Sequence, residues 1–260
     1  MTDETPAQRL RRERNRTLFD GVAALYDATR QSYPLDVVHE LLTTAQLAHG
    51  SRVLEVGCGT GQLTRRLAGR GLRITALDIG ADMVRLARRN VADVEVSFEC
   101  ASFEEFVSTD SFDLVVSATA FHWIDPAVAF PKSVGLLRPG AWLALLTTGE
   151  RHREPVRSAL RELWIKHHPS AERWAPSEPW AIQARATGLF GEVTEVVSER
   201  PVQLSATDAV DVECTRATFL SWDLDTQQAF RRDLTALLQD APTVEVVQET
   251  YLALAPTLGR

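Results

Sequence analysis

The sequence has few cysteines, and their positions suggest no shared site. Its 260 residues include three of them, Cys58, Cys100 and Cys214, which lie far apart and are odd in number. No CxxC pair occurs, so the sequence indicates neither a structural zinc site nor a disulfide framework. We also find no convincing cluster of acidic residues and therefore predict no metal.

Long apolar runs and an excess of basic residues are missing as well. No apolar run approaches the roughly 20 residues that a membrane-spanning helix needs. The polar first stretch, MTDETPAQRLRRERNR, lacks the apolar region of a secretory signal. We therefore expect no membrane partner and a cytoplasmic location. The formal net charge of −7 repels phosphate backbones and argues against nucleic acid. The early arginines are interpreted as a solvated helix face or loose arm, with nucleic-acid or membrane binding as the alternative.

Strands and helices alternate between residues 35 and 150. The segments RVLEV, RITALD, VEVSFEC, FDLVVSA and AWLALLTT have the composition of buried strands, and helical apolar spacing precedes or separates several of them. This order predicts a doubly wound, mostly parallel α/β sheet of seven strands with helices on both faces. Ligands in such sheets bind outside the carboxyl ends of the strands.

Three parts are expected along the chain. Residues 1–34 would form an N-terminal arm or cap, residues 35–150 the ligand-binding core, and residues 151–260 a C-terminal part with lid helices and the last two strands. The last part is rich in tryptophan: Trp164, Trp174, Trp180 and Trp222. They fit either packing of helices onto the sheet or an aromatic-walled substrate cavity, and the sequence leaves both readings open.

The first predicted strand ends in an unusual glycine pattern, VLEVGCGTGQLT. Gly57, Gly59 and Gly61 alternate, and Glu55 precedes them. Glycine permits positive φ and lets a ligand touch the main chain. A dinucleotide fingerprint would need glycine at position 62, where this chain has glutamine. A carboxylate beside the loop disfavours a pyrophosphate and suits an ammonium group.

The second predicted strand ends in Asp78, 21 residues after Gly57. An acid at this place can accept hydrogen bonds from both hydroxyls of a ribose. The alternative is a tight turn followed by a surface acid. The glycines, the two acids and the alternating layout together favour a nucleoside ligand with an amino group.

These segments resemble the motifs of class I S-adenosylmethionine-dependent methyltransferases over roughly residues 20–150. The matching segments are LEVGCGTG, LDIGADM, CASFEEF, FDLVVSATAFHW and LLRPGAWLAL. The chain is most similar to the small-molecule branch, the trans-aconitate type or methyltransferase type 11. In that branch a Y…R…YP segment precedes the core and HW follows the fourth strand. The resemblance implies a Rossmann-like methyltransferase core with S-adenosylmethionine as cofactor.

The resemblance also implies which residues bind the cofactor. Glu55 and the glycine loop would hold the methionine part, and Asp78 the ribose. The complete set is Tyr26, Arg30, Tyr33, Glu55, Gly57, Cys58, Gly59, Thr60, Gly61, Asp78, Ile79, Met83, Ala101, Ser102, Phe103, Ser117, Ala118 and Phe121. Two positions depart from the family pattern. Ser102 replaces a common acid, and Gly80 replaces a common serine and so loses a helix-capping hydroxyl.

The acceptor is expected to be a small, partly apolar molecule. AFHW stands where methyltransferases of nucleic-acid and protein amines have an NPPY-type tetrapeptide. The expected acceptor wall is Phe121, His122, Trp123, Trp174, Trp180 and Trp222. His122 is the candidate catalytic residue, and its roles as general base, substrate contact or structural residue stay open; His152 is a weaker second candidate.

Family resemblance favours methylation at a carboxylate or hydroxyl oxygen. N- or C-methylation of a small metabolite, and a catalytically silent S-adenosylmethionine-binding protein, remain alternatives. We expect a monomer or a homodimer.

Overall fold

One seven-stranded sheet organises the chain. The computed structural model describes residues 17–92, 95–168 and 179–258. The strand order is β3-β2-β1-β4-β5-β7-β6, and β7 runs antiparallel to both of its neighbours. The strands are β1 (Arg52–Val56), β2 (Arg73–Asp78), β3 (Val96–Cys100), β4 (Phe112–Ala118), β5 (Leu137–His152), β6 (Thr194–Ser205) and β7 (Thr243–Pro256). The predicted doubly wound, mostly parallel fold is confirmed.

Helices cover both faces of the sheet. They are α1 (Ala23–Thr29), α2 (Leu35–Thr44), α3 (Thr64–Leu67), α4 (Ala81–Asn90), α5 (Pro126–Leu136), α6 (Val156–His167), α7 (Trp180–Thr187), α8 (Ala206–Cys214), α9 (Ala217–Leu220) and α10 (Leu224–Leu238). Short 3₁₀ turns span Asp20–Val22 and Phe121–Trp123. Thr215 and Arg216 separate α8 from α9. Within the described ranges, no helix has both the length and the apolar character to cross a membrane.

The central strands explain why the site forms where it does. β1 pairs in parallel with β2 on one side and β4 on the other. Their side chains are almost entirely buried, as expected for parallel strands covered on both faces. Because parallel strands end at the same edge, Val56, Asp78 and Ala118 lie along one edge. The chain order reverses between β1 and β4, so this edge contains the switch point where ligands bind.

The residues before α1 are fastened to the core through the start of α4. Gly80 occupies the N-cap position of α4 and has no side chain to cap it. Instead, Asp20 Oδ1 accepts hydrogen bonds from the backbone N–H groups of Asp82 at 2.8 Å and Met83 at 3.2 Å. A Cβ on Gly80 would lie 2.7 Å from that oxygen. The missing hydroxyl therefore makes room for a cap from a distant segment.

This arrangement predicts a reciprocal pair of effects on stability. Asp20→Ala removes an N-cap and should lower the free energy of unfolding by about 1 kcal/mol. Gly80→Ser should destabilise the wild-type chain, because its Cβ meets Asp20, but should restore a cap in the Asp20→Ala background. Thermal unfolding of the four proteins measures the coupling. Strictly additive effects would contradict the shared cap.

Candidate functional site

A cavity of about 390 Å³ opens at the carboxyl edge of β1, β2 and β4, a size in the usual range of ligand sites. Twelve of the residues proposed from the sequence line it: Tyr26, Arg30, Gly57, Gly59, Asp78, Ile79, Met83, Ala101, Phe103, Ala118, His122 and Trp123. The edge of the sheet thus brings together residues separated by almost a hundred positions. We call this space the main cavity.

A smaller pocket adjoins the main cavity beneath the glycine loop. The two spaces share seven lining residues: Tyr26, Arg30, Gly57, Gly59, Ala118, Thr119 and Thr148. The smaller pocket adds Tyr33, Glu55, Cys58 and Thr60, which the sequence also proposed. The hydroxyl oxygen of Thr60 is buried and has no hydrogen-bond partner among the described residues. A polar ligand group in this pocket would satisfy it.

The glycine loop passes close to β2 and β4. The N–H groups of Gly57 and Cys58 both donate to the Leu77 carbonyl at 2.8 Å, which fixes the loop against β2. Gly57 has φ +73°, and a Cβ there would lie 2.3 Å from the Ala120 Cβ. Gly59 has φ +54°, and a Cβ there would meet no protein atom within 4 Å. Gly57 is therefore required by packing, whereas Gly59 borders open cavity space.

Asp78 joins the end of β2 to the glycine loop. Its Oδ2 accepts from the Gly59 N–H and its Oδ1 from the Gly80 N–H, both at 2.9 Å. Burial raises the pKa of the Asp78 carboxyl, while these two backbone hydrogen bonds oppose the rise. The carboxyl group is thereby held rigidly on the cavity wall, where it can accept further hydrogen bonds from a ligand.

Glu55 lies deeper, on the wall of the smaller pocket. It is almost fully buried and accepts a hydrogen bond from the Thr64 hydroxyl at 2.7 Å. Burial raises its pKa to about 8, although the Thr64 hydrogen bond opposes the rise. An ammonium group beside it would favour the charged carboxylate and lower the pKa again.

We therefore expect binding of S-adenosylhomocysteine at pH 6.5 to release a proton from Glu55. The free protein holds this carboxyl protonated below about pH 8, and the ligand's ammonium group favours ionisation, so affinity should rise with pH in this range. Calorimetry in buffers of different ionisation enthalpy measures the release. The Glu55→Gln variant should bind S-adenosylhomocysteine without releasing a proton. Equal proton release by the variant and the wild-type protein would assign the proton to another group.

The segment after α1 forms part of the ligand-site wall. The Arg30 guanidinium lies 5.2 Å from the centre of the Tyr26 ring, and its Nη1 is 3.3 Å from Glu150 Oε2. The Tyr33 hydroxyl and the Thr119 Oγ1 are 3.2 Å apart. Thr119 has φ +58°, a conformation that β-branched residues rarely adopt and that concentrates at functional sites.

Four proposed cofactor residues lie outside both cavity linings: Gly61, Ser102, Ser117 and Phe121. Ser117 is buried and donates to the Val56 carbonyl at 2.8 Å. Ser102 exchanges hydrogen bonds with Glu105 instead of facing the cavity. Gly61 packs against Ala87 and Val91 of the α4 region. These four residues therefore do not line the space, whereas their neighbours Ala101 and Phe103 do.

Two tryptophans of the expected acceptor wall lie outside the lining of the main cavity. Trp180 packs edge-on to Phe121, with ring centres 5.6 Å apart, and its indole N–H donates to the Thr147 hydroxyl. Trp222 packs among Trp164 and Phe230. Neither lines the main cavity, because each completes an apolar cluster between helices and sheet. Trp174 lies outside the described residues.

His122 and Trp123 do face the main cavity, from the 3₁₀ turn after β4. His122 lines the main cavity as an exposed residue, and partial desolvation by the protein around its ring lowers its pKa to about 4. The imidazole is therefore neutral at pH 7 and is a weak base. His152 lies elsewhere: it is buried, with Nε2 3.5 Å from Glu213 Oε1.

The wall that replaces the tryptophans is polar. It comes from the turn between α8 and α9, where Thr215, Arg216, Ala217 and Thr218 line the main cavity together with Thr148 of β5. Arg216 donates to both carboxylate oxygens of Glu213, at 2.7 and 2.8 Å. Sequence patterns gave no indication of this wall, because no motif marks residues 215–218.

Curated proteins similar to this chain include several described as methyltransferases. A family model described as a methyltransferase domain matches residues 54–145. A Mycobacterium tuberculosis protein described as an uncharacterised methyltransferase is 37% identical over 128 residues, which are 49% of this chain and 51% of the relative. The chain thus spans about half the length of that relative. A malonyl-[acyl-carrier protein] O-methyltransferase from Priestia megaterium is 31% identical over 205 residues, 75% of this chain and 73% of the relative.

A solved structure shares the fold. It is described as a type II methyltransferase from Anaeromyxobacter dehalogenans, with a TM-score of 0.62 and 22% identity, and the match covers 89% of this chain and 99% of that one. The matches to known methyltransferases agree with the strand order and with the position of the cavity at the carboxyl edge of the sheet. The chain belongs to the class I S-adenosylmethionine-dependent methyltransferases.

Proposed function

We propose that this chain transfers the methyl group of S-adenosylmethionine to a carboxylate oxygen of a small, partly apolar acceptor. The observation that carries the cofactor assignment is the placement of Asp78, which faces the main cavity while it holds the Gly59 N–H at 2.9 Å. The open space beside Gly59 and the unpartnered Thr60 hydroxyl also fit a bound amino-acid nucleoside. Bound S-adenosylmethionine would supply an electrophilic methyl group on its sulfonium.

In this proposal different residues bind different parts of the cofactor and orient its methyl group. Glu55 holds the ammonium end and Asp78 the ribose hydroxyls. Tyr26 and the rings around it exclude water: Phe19 lies 5.8 Å from Tyr26 and 6.0 Å from Trp123, centre to centre. Alignment of nucleophile, methyl carbon and sulfur then accounts for most of the rate, and excluded water cannot compete for the nucleophile.

The choice of a carboxylate rests on His122 and Arg216. A hydroxyl acceptor needs a base, and a histidine whose pKa is lowered to about 4 suits that role poorly. A carboxylate is already ionised at pH 7 and needs none. The Arg216 guanidinium lines the cavity while it is paired with Glu213, and it can still offer a hydrogen-bond donor to an acceptor carboxylate. Relatives described as malonyl-[acyl-carrier protein] and ubiquinone-biosynthesis O-methyltransferases agree with transfer to oxygen.

The test uses S-adenosylmethionine with a labelled methyl group and a panel of aliphatic acids, alcohols and amines. We expect label in a base-labile ester, which releases methanol after alkaline treatment. Base-stable label in an alcohol or amine product would overturn the carboxylate assignment. Absence of transfer to the whole panel, with S-adenosylmethionine bound, would favour the catalytically silent alternative.

His122→Ala should change kcat for the acid acceptor by less than about threefold, because no proton needs to be removed, whereas loss of a general base costs about 10²–10⁴-fold. Steady-state kinetics with the acid found above measures the effect. His39→Ala is the control, since His39 is an exposed histidine on α2. A fall of a hundredfold or more for His122→Ala alone would make this histidine the base.

A further inference from the structure

A second cavity of about 340 Å³ lies beside α6, the end of β5 and the α8–α9 turn. Its charged lining contains four arginines and two carboxylates: Arg151, Arg157, Arg161, Arg216, Glu150 and Glu213. In a chain with a formal net charge of −7, a cavity with more cations than anions departs from the average surface. We call it the rear cavity.

The carboxylates of the rear cavity are already neutralised. Glu213 is bonded by Arg216, and Glu150 is paired with Arg30, 3.3 Å away. Arg151 is also occupied, because its Nε lies 2.5 Å from Glu249 Oε1.

Two arginines remain for a ligand. Arg157 and Arg161 lie four residues apart on α6 and therefore on one face of that helix. No ion pair joins either to another residue of the described ranges. Among the residues that the structure describes, no carboxylate therefore compensates these two positive charges.

A buried histidine supplies an independent indication of a ligand. His152 lines the rear cavity and is only 4% exposed. Its Nε2 lies 3.5 Å from Glu213 Oε1, whereas its Nδ1 has no hydrogen-bond partner among the described residues. A ligand oxygen beside Nδ1 would accept a hydrogen bond from an Nδ1–H group. The ligand would thereby satisfy a buried polar atom.

Arg216 lines both the main and the rear cavity, so the two cavities are neighbours at this side chain. We infer that the rear cavity binds an anionic group, a carboxylate or a phosphate, at the end of the acceptor remote from the methylated oxygen. The acceptor is then a molecule with two anionic ends. This inference rests on the proposed function, which assigns the methylated end to the main cavity.

The first experiment tests the rear cavity without any methyl transfer. Inorganic phosphate is titrated into the protein while the His152 ring resonances are followed by NMR, with their assignment taken from His152→Gln. We expect a saturable shift, and at least about tenfold weaker binding by the Arg157→Ala/Arg161→Ala double variant. Arg89→Ala is the control, because Arg89 is an exposed arginine on α4 outside this lining. An unmoved His152 ring, or equal binding by all variants, would overturn the site.

The second experiment asks whether the acceptor reaches this site. Hexanoate, adipate and 6-phosphohexanoate are titrated into the protein loaded with S-adenosylhomocysteine. Adipate or 6-phosphohexanoate should bind at least about tenfold more tightly than hexanoate, a difference of about 1.4 kcal/mol. The better of the two identifies the group as carboxylate or phosphate. The advantage should disappear in the double arginine variant.

The outcomes separate the two proposals. Equal binding of the three probes to a loaded protein overturns the inference and leaves the proposed function standing. Failure of S-adenosylhomocysteine to bind overturns the proposed function, whatever phosphate does in the rear cavity.

Discussion

Gly59→Val is expected to weaken binding of S-adenosylhomocysteine by at least about 100-fold, equivalent to about 2.7 kcal/mol. A side chain at this position meets no protein atom within 4 Å, and Gly59 lines both the main cavity and the smaller pocket. The added methyl groups would therefore occupy space that the proposal assigns to the ligand. Calorimetry measures affinity, and thermal unfolding measures stability.

The matched control is Gly69→Val. Gly69 also has positive φ, at +73°, and open space around its Cβ position, but it lies outside both cavities. Both variants incur backbone strain of about 1–2 kcal/mol, so only affinity should separate them. Gly59→Ala serves if the valine variant does not fold. Wild-type affinity in a folded Gly59 variant would contradict the loop assignment.

Asp78→Ala should lower the affinity for S-adenosylhomocysteine by 10- to 100-fold. It removes the proposed acceptor for two ribose hydroxyls, and a hydrogen bond to a charged group contributes roughly 1.5–3 kcal/mol. Partial contact with solvent reduces that contribution, so the expected loss is about one to two decades at about 1.4 kcal/mol each. The variant also leaves the Gly59 and Gly80 N–H groups without their acceptor.

Asp113→Ala controls for the loss of a structural aspartate. Asp113 is buried near the start of β4, at the opposite edge of the sheet, and accepts from the Arg52 N–H at 2.7 Å. We expect this variant to lose stability but keep its affinity for S-adenosylhomocysteine. An affinity change below about threefold for Asp78→Ala would place the ribose elsewhere.

The parts of the site that follow strand ends could be predicted from the sequence. Local sequence patterns indicate the buried strand before Gly57 and the spacing from Gly57 to Asp78. They therefore predict which strand ends lie at the ligand-binding edge of the sheet. His122 and Trp123 follow β4 in the same way and line the same cavity. Local pattern and sheet topology together bring these residues to one edge.

Contacts between distant segments could not be predicted in this way. Asp20 caps α4 from 62 residues away, and nothing around Gly80 indicates which side chain replaces its missing hydroxyl. An indole side chain such as that of Trp180 or Trp222 can lie either in an apolar core or in a cavity wall. Only the packing of the helices decides between the two. Arg216 lies at the break between α8 and α9, and no sequence motif marks that break as part of a site.

We expect the main cavity to bind S-adenosylmethionine and not a dinucleotide. Calorimetric titration of the wild-type protein with S-adenosylhomocysteine, and separately with NAD, tests it most directly. We expect saturable one-to-one binding of S-adenosylhomocysteine that is lost in Gly59→Val and kept in Gly69→Val, with no binding of NAD. Tight binding of NAD without binding of S-adenosylhomocysteine would contradict the account.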